Sequence, residues 1–303
     1  MRLAFIVSGY KRPDLLTRLV RALDGRPCAI HIDAKSQIFS EVVEALKGIP
    51  NVHFLPRHNC HWGMFGHVEA SLEGLRWFRG TDCDYALLLT GQCYPLRTIS
   101  SIESCLSALN GMSIIDYHSF PYSRWEKGGW SRVDRFHVHA FGRRWRIRPW
   151  RRQLPSGHHA YGGGSYWCLS RASAEYVLDF IDKHPNYIQF FRRVLIPDEI
   201  FFQTILVNSP LRDTLINDTI HHIEWTLHQP SPAILTSADS AFASGKWFAR
   251  KFEDQSVLDI IDERRAENSY LRPSIAPGVL SAEELRQRDM ASLALYYDYR
   301  QSA

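Results

Sequence analysis

Apolar residues in the first third of the chain come in short continuous runs. Leu3–Val7 is one, Cys28–Ile32 a second, Val52–Leu55 a third and Tyr85–Leu89 a fourth. Runs of this length, with no alternation of polar positions, fit strands buried on both faces. Between them, Leu15, Leu16, Leu19, Val20 and Leu23 recur at helical spacing. Ile38–Leu46 and Val68–Phe78 also read as helices. This alternation predicts an α/β fold with a mostly parallel central sheet flanked by helices. Ligands bind such sheets beyond the carboxyl ends of the strands. Ser8-Gly9-Tyr10, Asp33 and Thr90-Gly91-Gln92 each follow a strand, so residues 1–115 are expected to hold a nucleotide.

From about residue 116 to 165 the periodicity fades, and Trp, Tyr, His and Arg accumulate. Loops and short elements forming a wall of the site are expected there. Gly162-Gly163-Gly164-Ser165 then leads into a strand over Tyr166–Ser170 and a helix over Ala172–Asp182. Pro273 and Pro277-Gly278 interrupt the pattern. A polar helix is expected from Ser281, with Glu283 and Glu284 in its first turn. The predicted organisation is one domain over 1–265 and a helical extension over 266–303. The domain divides into a nucleotide-binding half, 1–115, and an acceptor and catalytic half, 116–265.

Composition changes this picture little. The 303 residues carry a net charge of +4, with 45% hydrophobic and 22% charged positions, as in a soluble globular protein. No apolar run approaches bilayer length, and the first residues read as a strand and not as a secretion signal. A cytoplasmic location is expected. The six cysteines show no CxxC spacing, so reduced thiols are expected. Charge is concentrated at Arg143–Arg152, where six of ten residues are arginine. Two readings stand: a solvated basic loop, or a docking surface for a lipid diphosphate, an acidic glycan or the inner face of the membrane. No nucleic-acid module accompanies the segment, and nucleic acid is not an expected partner.

Two segments carry candidate chemistry. In Pro197-Asp198-Glu199-Ile200-Phe201-Phe202, carboxylates open an apolar segment. Asp198 could cap the helix. Glu199 is either an exposed first-turn carboxylate or a general base whose pKa is raised by its aromatic neighbours. In Phe248-Ala249-Arg250-Lys251-Phe252, two cations sit among aromatics that must be buried. Fixed cations there would stabilise a departing diphosphate. Asp82-Cys83-Asp84 has the letters of a metal-binding pair but precedes its strand, at the wrong end of the sheet, and reads as a solvated turn. Thr90-Gly91-Gln92, at the right end, is a poor site for a hard cation. None of the fourteen histidines falls in a zinc pattern. The triple glycine enters a strand with no Lys-Ser/Thr after it, so close backbone approach to a sugar is the better functional reading and a flexible turn the plain one.

Together these segments resemble the core-2/I-branching N-acetylglucosaminyltransferase family (glycosyltransferase family 14), which also holds the peptide O-xylosyltransferases. The landmarks over residues 1–255 are His31-Ile32-Asp33-Ala34-Lys35-Ser36, Trp62-Gly63 with Val68, and Leu89-Thr90-Gly91-Gln92-Cys93-Tyr94-Pro95-Leu96. Gly164–Arg171, Pro197–Phe202, Asn208-Ser209-Pro210 and Phe248–Phe252 complete the order. The resemblance implies a GT-A-type fold, a UDP-sugar donor, inversion at the anomeric carbon and no metal or other cofactor. Glu199 matches the catalytic base. Arg250 and Lys251 match the diphosphate positions, Lys251 the firmer of the two. Asp33 matches a residue on the uridine, and Val7-Ser8-Gly9 the first nucleotide loop. Trp62, Tyr166 and Trp167 are candidate acceptor-wall residues. The xylosyltransferases carry an acidic residue after Gly-Gly-Ser, where this chain has Tyr166, so both GlcNAc and xylose stay open as the sugar. The expected enzyme is a bacterial-type soluble one that builds surface polysaccharide on a glycan or lipid-linked glycan acceptor. The alternatives are a metal-dependent transferase using Asp82 and Asp84, or a non-catalytic glycan- or nucleotide-binding module.

Overall fold

The structure, a computed structural model, describes residues 1–147, 152–226 and 231–267. The extension expected over 266–303, with its helix from Ser281, lies outside the described residues except for 266 and 267, as do residues 148–151 of the basic segment.

The first half alternates as expected: β1 (Leu3–Gly9), α1 (Pro13–Ala22), β2 (Cys28–Ile32), α2 (Phe39–Ala45), β3 (Val52–Phe54), α3 (Gly66–Arg79) and β4 (Tyr85–Thr90). The short β5 (Tyr94–Pro95), α4 (Ile99–Ala108) and β6 (Ser113–Ile115) follow. The middle is made of short elements: β7 (His118–Ser119), α5 (Trp130–Val133), β8 (Phe136–Ala140), β9 (Arg143–Ile147) and β10 (Tyr161–Gly162). Next come β11 (Trp167–Ser170), α6 (Arg171–Lys183), α7 (Pro185–Phe191) and α8 (Phe201–Val207). The last elements are β12 (Leu215–Ile216), β13 (His221–Ile223), α9 (Asp239–Ala243), β14 (Phe248–Arg250) and α10 (Gln255–Glu267).

Seven strands form the central sheet in the order β12-β6-β11-β4-β1-β2-β3. All neighbours are parallel except β11, which runs antiparallel to both β4 and β6. This is the mostly parallel sheet flanked by helices that was expected of the chain. The continuous apolar runs have a direct cause. In β1, Leu3, Phe5 and Val7 enter one core while Ala4 and Ile6 enter the other. In β4, Tyr85, Leu87 and Leu89 alternate in the same way with Ala86 and Leu88. Successive side chains point to opposite faces, and both faces are covered, so every position is apolar. Helix α3 lies close on one face. A Cβ on Gly74 would stand 2.4 Å from the Ile6 side chain, so only glycine allows that approach.

A second, three-stranded sheet, β13-β14-β5, brings the late chain back to the early chain. Phe248 pairs with Pro95 and Ala249 with Tyr94. Helix α10 is tied down at Asp262, which accepts from the Tyr94 hydroxyl at 2.8 Å and pairs with Arg18 at 2.8 Å. The basic segment is not a loop in its first part: β9 pairs with β8 in an antiparallel hairpin. Its turn is made by Phe141 (φ 53°) and Gly142 (φ 68°). Left-handed backbone costs a residue with a Cβ roughly 1–2 kcal/mol, and phenylalanine has no short polar group to offset it. Arg152, the last of the six arginines, is packed between Phe136 and Phe190 at 4.6 and 3.8 Å from the ring centres.

Candidate active site

The carboxyl ends of β1, β2 and β4 meet at one edge of the sheet. The Asp33 amide donates to Gly9 O at 2.9 Å, the Gly91 amide to Ser8 O at 2.9 Å, and the Ser36 hydroxyl to Tyr10 O at 2.7 Å. The guanidinium of Arg57 clamps the loop after β2 by donating to the carbonyls of Asp33, Ala34 and Ser36 at 2.7–3.1 Å. Asp33 is buried, and its carboxylate accepts from the Lys35 ammonium at 2.8 Å and the Lys35 amide at 3.0 Å. Burial opposes its ionisation, but Lys35 and the amides hold its pKa below the ordinary range. Val7 does not reach this edge. It lies inside the sheet, paired with Ile30 and Leu89, with its side chain in the core. Of the predicted first loop, Ser8 and Gly9 close the strand and the chain beyond them faces the edge.

Glu199 ends a single 3₁₀ turn, Pro197–Glu199, which opens from Ile196 in left-handed backbone (φ 50°) and leads into α8. Two bonds hold the turn from either side: the Ile196 amide donates to Gly63 O at 2.9 Å, and the Gly163 amide to Glu199 O at 2.8 Å. Asp198 does not cap α8. Ile200 occupies the cap, and Asp198 accepts instead from the Ser165 hydroxyl at 2.9 Å. The Glu199 carboxylate accepts from Arg132 at 2.7 Å and leaves 26% of its side chain exposed. Arg132 lies over the Trp125 ring, 3.7 Å from its centre. Burial raises the Glu199 pKa to about 7, the charge of Asp198 pushes the same way, and Arg132 pulls against both. The exposed first-turn carboxylate is therefore not what the fold builds.

The triple glycine approaches protein, not open space. A Cβ on Gly163 would stand 2.0 Å from Asp116 O. The Gly164 amide donates to the Asp116 carboxylate at 2.7 Å, and Gln203 donates to Gly164 O at 2.8 Å. These bonds fix Ser165, and through it Asp198, relative to the end of β6.

Arg250, the last residue of β14, lies over the Tyr166 ring at 4.9 Å. Burial draws its pKa below the usual guanidinium range. Its Nε is buried without a partner, and no carboxylate among the described residues lies within 4 Å of it. Lys251 is different: its ammonium stands 3.8 Å from Glu253, which also takes bonds from Lys11 and Gln92 at 2.7 and 2.8 Å. Of the two, Arg250 is the one with no carboxylate beside it among the described residues. Tyr166 is a correction to the predicted acceptor wall. It is buried between Arg250 and His221, whose ring is 4.3 Å away, and forms the floor beneath the guanidinium. Trp167 is a second correction: it is fully buried against Phe202 and has no surface to offer a sugar. Trp62 stays at the rim, 60% exposed, with Arg144 over its ring at 4.9 Å.

The contacts join the predicted pieces in one line. Glu199 is beside Asp198, which holds Ser165; Tyr166 follows and carries Arg250. Asp82 and Asp84 lie at the opposite, amino end of β4, where Asp82 pairs with Arg2 and Asp84 accepts from the Arg2 amide at 2.7 Å. Among the described residues no group of three His, Cys, Asp or Glu could hold a metal ion, and no helix is long and apolar enough to cross a membrane. The six cysteines are free thiols. Arg132, Arg57 and Asp116 escaped the sequence reading. Asp116 follows the strand β6 as Asp33 follows β2, and the same signal would have found it. Arg132 has no local signal at all.

The family model described as Core-2/I-Branching enzyme matches residues 3–243. Xylosyltransferase 2 of Rattus norvegicus is 28% identical over 294 residues, covering 86% of this chain and 33% of that protein. Xylosyltransferase 1 of Homo sapiens is 28% identical over 235 residues, covering 74% of this chain and 24% of that protein. The chain spans about a third of the length of the first of these relatives and less of the second. Among solved structures, S. aureus TarS 1-349 in complex with UDP is 10% identical, covers 97% of this chain and 71% of that one, and has a TM-score of 0.42.

Proposed function

Because the chain belongs to the Core-2/I-branching enzyme family, we propose that it transfers a sugar, GlcNAc or xylose, from a UDP-sugar to a hydroxyl of a glycan acceptor. The names of the xylosyltransferase relatives support the class of reaction. One observation supports the reading for this chain: a carboxyl with a pKa of about 7 and a buried arginine with no carboxylate beside it among the described residues stand along one line of contacts at the carboxyl edge of the sheet.

Glu199 takes the proton of the acceptor hydroxyl. The oxygen attacks the anomeric carbon from the face opposite UDP, and the bond from that carbon to the diphosphate oxygen breaks. Configuration inverts, the proton stays on Glu199, and UDP leaves with the bonding pair. Negative charge therefore grows on the diphosphate as the bond breaks. Arg250, with Lys251 beside it, stabilises that charge without a metal ion, and does so best where desolvation strengthens the attraction. The tips after β1 and β2 hold the nucleotide, and Trp62 lines the acceptor side.

The test is UDP release from a panel of UDP-sugars with glycan acceptors, in the presence of EDTA. Wild-type protein is expected to retain full turnover in EDTA. Glu199→Gln should lose a factor of about 10² or more, the scale of a missing general base, while UDP still raises its melting temperature. Normal turnover in Glu199→Gln removes the base assignment, and strict dependence on an added divalent ion removes the role given to the cations.

A further inference from the structure

The hairpin β8–β9 stands at the edge of this site, and its two faces differ. Its register sets Arg144 across from His139 and Arg146 across from His137, so these four share a face. That face rests on the protein through its histidines, while Arg144 and Arg146 stay exposed. His137 is buried and bonds the Ser131 carbonyl at 2.9 Å, His139 stacks on His61 at 3.9 Å, and Arg144 covers Trp62. The other face carries Arg143, Trp145 and Ile147, with Ala140 and Val138 across from the first two. Trp145 is half exposed, and Phe141 at the turn is 97% exposed. No carboxylate among the described residues lies within 4 Å of Arg143, Arg144 or Arg146.

A phenylalanine in open water at a left-handed turn serves neither packing nor backbone geometry. The exposed Arg143, Arg144 and Arg146 follow it along β9, with no carboxylate among the described residues within 4 Å. We propose that this hairpin docks the protein on an anionic lipid bilayer, with Phe141 and Trp145 entering the interfacial layer and the arginines of β9 meeting lipid phosphates. Aromatic rings favour that layer, and guanidinium groups reach phosphate with the side chain laid along apolar surface. An acidic glycan would satisfy the arginines but leave Phe141 in water. A bilayer satisfies both groups and needs no shaped pocket. Trp62 and the mouth of the site then lie against the membrane surface. The proposal concerns location and is independent of sugar transfer.

The experiment is co-sedimentation of the full chain with vesicles of phosphatidylcholine alone and of phosphatidylcholine with phosphatidylglycerol in equal parts. Binding is expected on the anionic vesicles only, and it should fall with added salt. Phe141→Asn suits the turn's backbone, so the fold and melting temperature should hold while vesicle affinity drops about tenfold. Trp145→Ser should act in the same direction. Equal binding to both vesicles overturns the proposal, as does Phe141→Asn binding like wild type. A dimer in analytical ultracentrifugation that dissociates with Phe141→Asn assigns the face to a second copy instead. Retention on polygalacturonate that falls with Phe141→Asn, while vesicle binding does not, assigns it to an acidic glycan.

Discussion

Burial governs the titration of Glu199 more than any single neighbour does. Its carboxyl is raised from 4.5 to about 7 although Arg132 stands 2.7 Å away. The sign has two consequences. A base must be ionised, so kcat/KM should rise with pH and level off above about 7. Arg132 favours the ionised form, so Arg132→Ala should move that limb to higher pH; a limb that stays in place, or moves down, contradicts the pairing. Stability runs the other way. Between about 4.5 and about 7 the folded state holds a proton that the unfolded state has released, so this group's contribution falls as pH rises through that window. Glutamine has no such term. The melting temperature of Glu199→Gln minus that of wild type should therefore be larger at about pH 8 than at about pH 5, and a difference that ignores pH would refute the raised pKa. The carboxylate's identity was legible in the sequence because Pro197 and the aromatic run mark the turn. Its state was not, since Arg132 and Asp116 arrive from 67 and 83 residues away.

At the scale of elements, the first half was readable because burial of both sheet faces leaves an unmixed apolar signal in β1, β2 and β4. The middle was not, because β7, β10 and the short turns carry few residues each and are fixed by tertiary bonds. The glycine turn shows how. Gly163 passes against the Asp116 backbone, whereas a Cβ on Gly164 would meet only the Asp116 carboxylate at 3.6 Å, an ordinary contact. Gly163→Ala should thus cost about 1–3 kcal/mol through overpacking and displace the Glu199 turn, with a large loss of turnover. Gly164→Ala should be far milder. Thermal melts and UDP release on the two variants check this, and equal effects would show that the close approach is not what positions Glu199. Asp198 belongs to the same lesson: a helix cap is the local expectation, but Ser165 offers a partner fixed by this turn, and the tertiary bond wins.

For the whole molecule, Trp167 marks the joint between sheet and helices. It belongs to β11 yet packs on Phe202 of α8. Sequence alone set it in the acceptor wall beside Tyr166, because an aromatic pair after a glycine turn looks like sugar-binding surface. The strand's alternation then sends the two rings to opposite faces, Tyr166 under Arg250 and Trp167 into the core. Trp167→Ala should therefore act on stability, by about 3–5 kcal/mol, with acceptor KM unchanged in the molecules that stay folded. A selective rise in KM at normal stability would restore the acceptor role. The order of strands and helices is the mostly parallel α/β arrangement that the alternation in the sequence led one to expect. The second sheet was hidden, since β5, β13 and β14 are two or three residues long.

That return strand has a consequence for the chain as it is synthesised. Residues 94 and 95 wait, unpaired on that side, until residues 248 and 249 emerge to join them. The turn bearing Glu199 precedes Arg250 in the chain, but the tips after β1 and β4 also wait for the late chain, because Lys11 and Gln92 bond Glu253 at 2.7 and 2.8 Å. The pairing of β14 with β5 therefore places the cation proposed to stabilise the leaving group late in synthesis, with the segment that returns to the early chain.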